Sequence, residues 1–115
     1  MDVAASILQV LLAVVFLLSG GIKIAGHPMQ VANFQRYGYP QWFRVVTGVV
    51  EVIGAAGMVA GLFEEQFAIA AAVVLGVTMV GATYTDIRRS PPAMVAPPVV
   101  LLVMSIAVAV LRIAE

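Results

Sequence analysis

A chain of 115 residues that is 63% hydrophobic and 10% charged carries far fewer charges than the roughly 25% of a typical soluble domain, and is built for lipid. Lys plus Arg and Asp plus Glu balance at 6 each, which leaves no bulk attraction for nucleic acid. The absence of cysteine excludes thiolate nucleophiles, disulfide exchange and cysteine-ligated iron–sulfur or zinc sites.

The first membrane span is expected over residues 3–25, where only Ser6, Gln9 and Ser19 interrupt the apolar run before Lys23. Asp2 precedes it with no early Lys or Arg, and the run is too long for the h-region of a signal peptide, so cleavage is not expected. The connection over residues 27–41 is not plain loop. Pro28 suits a first helical turn, Met29 to Arg36 supply two turns, and Gly38 before Tyr39-Pro40 ends them. Tyr37, Tyr39 and Trp42 are aromatic residues at the expected membrane surface, where such rings anchor well. The segment is expected to be an interfacial helix, either an anchor or a lid over the mouth of the bundle.

The second span covers residues 42–62, with Arg44 and Glu51 its only charges. Arg44, Thr47, Gly48, Glu51, Gly54, Ala55 and Met58 share one helical face, while Val46, Val49, Val50 and Ile53 form the opposite one. The polar and small face should point into the bundle, where small residues let a neighbouring helix come close. The third span covers residues 67–86 and ends in a polar cluster, Thr83, Tyr84, Thr85 and Asp86. The fourth covers residues 94–113. Pro97-Pro98 suits a first turn, so the regular helix should begin there after an irregular entry.

Backbone groups in lipid must be satisfied within a segment, so only helices and closed barrels cross. The runs are continuously apolar rather than alternating, which rules against a barrel. The expected architecture is all-α: a four-transmembrane-helix bundle with a short interfacial helix between spans one and two, formed by residues 1–115 as a single membrane domain. Lys23, Arg36 and Arg44 flank the first connection and Arg88 and Arg89 lie in the third, against Arg112 alone near the termini. The first and third connections are therefore expected in the cytoplasm and both termini outside.

Glu51 is the leading site candidate. An ionisable group near the bilayer centre costs several kcal/mol unless paired, hydrated or protonated. Counted from the membrane surface Glu51 lies about 12 Å deep, whereas Lys23 is near the surface and lysines usually snorkel outward. Ser19, one turn deeper than Lys23, is the more comfortable partner. Without a cation beside it, burial favours the neutral acid, which can donate a hydrogen bond to a carbonyl, move a proton, or simply cap a backbone carbonyl. Asp86 is expected as a solvated helix-end ion pair with Arg88 and Arg89; alternatively Thr83, Tyr84 and Asp86 face Lys23 at the mouth of a cavity. His27 stands alone, and a haem or metal site needs more ligands than one histidine, so no metal is expected.

The ordered residues Phe16 to Lys23, with Ser19-Gly20-Gly21 and Lys23, then Gly38-Tyr39-Pro40, then Gly48, Glu51 and Gly54, resemble the DoxX-like family of small four-helix membrane proteins. The resemblance spans the chain in length and span order, and its specific part is residues 16–57. It implies a four-helix fold in a bacterial or archaeal inner membrane. Some members resemble the small subunit of a thiosulfate:quinone oxidoreductase, others membrane partners in oxidative-stress complexes, and distant eukaryotic relatives look like receptor-assembly chaperones. Glu51 and Lys23 match motif positions, but fold alone does not assign function.

The leading expectation is an accessory membrane subunit in a redox pathway that binds a quinone-like lipophile, whether or not it is catalytic. Glu51, Ser19 and Thr47 would contact the ligand, Lys23, Tyr84 and Asp86 would line the mouth, and Trp42 and Tyr37 would supply ring surface. The alternatives are a scaffold or assembly factor for a partner membrane protein, with Glu51 as a helix–helix latch, and a membrane isomerase using Glu51 and Asp86 as acid and base. A homodimer through the glycine faces is a further expectation.

Overall fold

The computed structural model describes residues 2–114. Among them the chain forms five α-helices, α1 (Val3–Ala25), α2 (Pro28–Tyr37), α3 (Gln41–Ala60), α4 (Glu65–Arg89) and α5 (Ala96–Ile113), with a single 3-10 turn at Pro92–Met94 and no strand. The all-α architecture is the expected one. Four helical segments are long and apolar enough to cross a membrane, and the short α2 lies between the first two. The longest dimension of the molecule is 42 Å, close to the roughly 40–45 Å of a bilayer with its headgroups.

The ends of the elements follow from local chemistry. The Asp2 side chain accepts from the Ala5 amide at 3.1 Å and starts α1. Gly26 ends it at φ 75°, a left-handed conformation that glycine adopts without a Cβ penalty. The Arg44 guanidinium donates to the Lys23 carbonyl, so a cation meets the negative end of the α1 dipole. His27 Nδ1 accepts from the Met29 amide at 3.2 Å, Pro28 occupies the first turn of α2, and Gly38 closes it at φ 81°. His27 is thus a helix cap. Helix α4 extends the third span at both ends, from residue 65 to residue 89. Pro97 and Pro98 sit in the first turn of α5, and the irregular entry is the 3-10 turn before it.

In lipid there is little hydrophobic drive between helices, so packing rests on shape and close approach. Phe16, Leu12, Met58, Leu75 and Val108 form the centre of the packed interior. Helices α1 and α3 touch backbone to backbone: a Cβ on Gly20 would lie 2.6 Å from the Gly48 carbonyl oxygen, and one on Gly48 would lie 2.7 Å from the Gly20 carbonyl oxygen. Helices α3 and α4 close against each other elsewhere. A Cβ on Gly57 would lie 2.9 Å from Ala71 Cβ, one on Gly61 2.5 Å from Ala68 Cβ, and one on Gly54 would run into Leu75. Helix α3 is therefore held to α1 at Gly48 and again where Gln9 donates to the Met58 carbonyl, and to α4 along its second half. Gly48, Glu51, Gly54, Ala55 and Met58 are buried, as the helical face predicts, whereas Val46, Val49 and Ile53 face outward.

Candidate functional site

Ser19 and Lys23 are one turn apart on α1 and share a face. The Gly20–Gly48 crossing sets that face against α3. Lys23 Nζ lies 3.1 Å from Glu51 Oε1 and donates to Ser19 Oγ at 2.7 Å. Ser19 Oγ donates to the same Glu51 Oε1 at 2.8 Å. Glu51 is only 2% exposed. Ser19 is the partner expected from the sequence, but the direct Lys23 contact corrects the expectation of a glutamate without a cation. The reason is register. A Cβ on Gly48 would lie 2.9 Å from Lys23 Cβ, so Lys23 is level with Gly48 and only about 4.5 Å along the axis from Glu51. Depth counted down each helix separately missed this crossing. Both hydrogen bonds to Glu51 reach Oε1, which leaves Oε2 without one among the described residues. An ammonium has three N–H groups, and Lys23 uses two.

This triad borders a cavity of about 470 Å³ to which all five helices contribute. Phe16, Val50 and Leu101 give it apolar walls, and Gln30 and Phe34 of α2 cover it. Its size is in the range of small-molecule sites. Thr47 lines it as expected, with its hydroxyl donating to the Phe43 carbonyl at 2.8 Å. Tyr37 also lines it. Burial, and then the nearby Asp86 carboxylate, push the Tyr37 phenol above its ordinary value near 10, against the opposing pull of Arg36.

Asp86 corrects one expectation. It is buried and lines the cavity, and accepts from Ser90 Oγ at 2.6 Å. Arg36 of α2 donates to the same Ser90 at 3.1 Å. Arg88 instead donates to Tyr84 Oη at 2.6 Å and lies over its ring. Two other expectations fail. Tyr84 is 57% exposed and Trp42 67% exposed, and neither lines the cavity. A helix turns by about 100° per residue, so the inward positions fall to their neighbours Thr85 and Phe43. Tyr39 Oη is 2.8 Å from Thr85 Oγ1, which itself donates to the Gly81 carbonyl at 2.9 Å. The ring surface comes from Phe34, Tyr37, Tyr39 and Phe43, whose neighbouring rings meet edge to face, as in the Tyr39–Phe43 pair at 5.3 Å.

Sequence reasoning also missed Gln30. It is 8% exposed, it lines the cavity, and its carboxamide has no hydrogen-bond partner among the described residues. Its spacing from Phe34 and Tyr37, four and seven residues on, was the available signal. A second polar cluster at the far end of the bundle was missed as well. Arg112, 2% exposed, donates to Gln9 Oε1 at 2.6 Å and to Ser6 Oγ at 3.2 Å. Gln9 Nε2 donates to the Met58 carbonyl at 3.1 Å. This chain of bonds ties α5 to α1 and α1 to α3.

The DoxX-like family profile matches residues 7–108. The uncharacterized protein YdgD of Bacillus subtilis (strain 168) is 41% identical over 86 residues, which is 74% of this chain and 75% of YdgD. No solved structure matches. With four segments long and apolar enough to cross a bilayer and a family match over most of its length, the chain is a multi-pass membrane protein that belongs to the DoxX-like family.

Proposed function

We propose that this protein is an accessory membrane subunit that holds a quinone-like lipophile in the cavity beside Lys23 and Glu51. The observation that carries the reading is the pairing of two unused polar positions with an apolar chamber. Among the described residues Glu51 Oε2 has no hydrogen-bond partner and Lys23 uses two of its three N–H groups. The ammonium suits a carbonyl oxygen as donor, and the carboxylate oxygen suits a hydroxyl as acceptor. The same two atoms therefore suit a ring carbonyl and the hydroxyl formed when an external reductant supplies the electrons, and Glu51 can supply or accept the accompanying proton. Phe34, Tyr37 and Phe16 supply ring faces and edges for stacking.

Energetics support a role beyond adhesion. Replacing a buried ion pair by apolar side chains is often neutral or stabilising, and Gly20 against Gly48 already packs α1 on α3. A carboxylate and a lysine are poor choices for glue alone. In this reading α2 and its mouth lie on the cytoplasmic side of a prokaryotic plasma membrane with both termini outside, which the distribution of basic residues supports.

A second reading, a membrane isomerase with Glu51 and Asp86 as acid and base, is favoured by one observation: both carboxylates line the same cavity. Mass spectrometry of the gently purified protein with extracted lipids separates the outcomes. A co-purified quinone that is lost in Glu51→Gln supports the redox reading. A folded Glu51→Gln protein that retains the quinone fully overturns it. A bound lipophile converted to an isomer by the wild type alone favours the isomerase, and an empty bundle bound to a protein partner favours a scaffold.

A further inference from the structure

Val46 and Val77, exposed on two helices long and apolar enough to cross a membrane, line the cavity from the side. Helix α3 is pinned to α4 at three successive levels, Gly61 on Ala68, Gly57 on Ala71 and Gly54 on Leu75. Nearer its start its close glycine contact is with α1, at Gly48 on Gly20. Between Gly54 and the beginning of α3 the two helices α3 and α4 therefore diverge as a wedge. A Cβ built on Gly81 of α4 meets nothing within 4 Å, although Gly81 lines the cavity. Val46 of α3 and Val77 of α4 also line it and are exposed. The wedge is closed at one end by the Gly54–Leu75 contact and bridged at the other by the bond between Tyr39 and Thr85. From Gly54 to Val46 it runs about 12 Å along the helix.

The axial mouth is covered. Gln30 and Phe34 lie buried over it, and Arg36 ties α2 to Ser90 and to Met94 Sδ at 3.4 Å. We infer that the site takes a long-tailed amphiphile from within the membrane: its polar head meets Lys23 and Glu51, and its tail leaves sideways between α3 and α4 across Gly81. This rests on the ligand-binding reading above and adds the route and the class of molecule. The exposed Val46 and Val77 match an acyl or isoprenoid chain, and the Lys23–Glu51 pair offers the charged contact for the head.

The probe is a benzoquinone with a decyl tail carrying a diazirine midway along it, added to the full chain in nanodiscs and photolysed. Untailed benzoquinone serves as competitor. Saturable labelling on peptides bearing Val46, Val77 or Gly81 supports the inference. Gly81→Leu should lower that labelling about tenfold, equivalent to about 1.4 kcal/mol, because its side chain fills the gap that the tail would occupy. Gly81→Ala, which adds little bulk, should leave it nearly intact. Because nothing stands near position 81, both variants are expected to fold, and a melting curve checks this. Saturable, competed labelling confined to α2 peptides, unchanged in Gly81→Leu, overturns the lateral route while sparing the site. Labelling that the untailed quinone never competes away overturns both.

Discussion

The two ends of this bundle each bury a cation, and they treat it differently. At the far end Arg112 is bonded to Gln9 and Ser6, and Gln9 passes the connection to the Met58 carbonyl. Those bonds stitch three helices together. At the α2 end Lys23 and Glu51 form a compact triad with Ser19, yet one carboxylate oxygen has no hydrogen-bond partner among the described residues, beside a chamber of about 470 Å³. Arg112 also borders a cleft of about 590 Å³, so space beside a buried charge does not by itself single out a candidate site. The difference lies in the oxygen of Glu51 left without a partner among the described residues.

Substitutions can break this contrast. Lys23→Met leaves the Glu51 charge buried and unpaired, which should destabilise the fold by about 3–5 kcal/mol. The double variant Lys23→Met with Glu51→Leu should recover most of that, yet capture no ligand. Unfolding titrations in mixed micelles, run beside quinone retention, measure both. If the double variant stays as unstable as Lys23→Met, the triad is holding the helices together, and the distinction between the two ends collapses. Gly48→Val forces a side chain into the Gly20 carbonyl and should cost about 1–3 kcal/mol as overpacking. It should also displace Lys23 from Glu51, visible as lost quinone retention in the folded fraction.

Arg112→Met sharpens the contrast from the other side. It should lower stability by about 1–3 kcal/mol, because Gln9 Oε1 loses its donor, with quinone retention unchanged once the protein is folded. A loss of retention in that variant would mean the two ends are coupled. The smallest effect is spectroscopic. Tyr37 should ionise above its ordinary value near 10, chiefly because it is buried and secondly because of Asp86. Stability linked to this phenol is therefore complete below pH of about 10 and is lost as pH rises through the raised Tyr37 value. Absorbance titration should show its ionisation moving down in Asp86→Asn, and an unmoved curve would separate Asp86 from the mouth.

Much of this was legible in the sequence for a simple reason. Bilayer spans announce themselves by continuous apolar length, and Pro28, Gly38, Pro97 and Pro98 mark ends through backbone constraints that do not depend on context. Glu51 stood out because a charge in such a run is costly wherever its partner lies. The partner itself was hidden. Lys23 meets Glu51 only because α1 and α3 cross at two glycines, and a crossing register is a property of two helices together. Tyr84 and Trp42 were each one position away from the inward face, and a single residue's rotation decides between cavity and lipid. The Gln9–Arg112 bond joins residues at opposite ends of the chain. Gln9 interrupts an apolar run as Glu51 does, and the same reasoning applied to it would have found that second cluster.

The divergence of α3 from α4 beside Gly81 carries a thermodynamic consequence. In a bilayer a gap between apolar helix faces fills with the chains of host lipids. Any tailed guest must displace a neighbour of nearly equal apolarity, so its tail gains almost nothing on entry. Selectivity then falls entirely to the few polar atoms around Lys23 and Glu51. Occupancy becomes an exchange governed by mole fraction among the surrounding lipids, and it will shift with the composition of the membrane even when the total amount of guest is held constant.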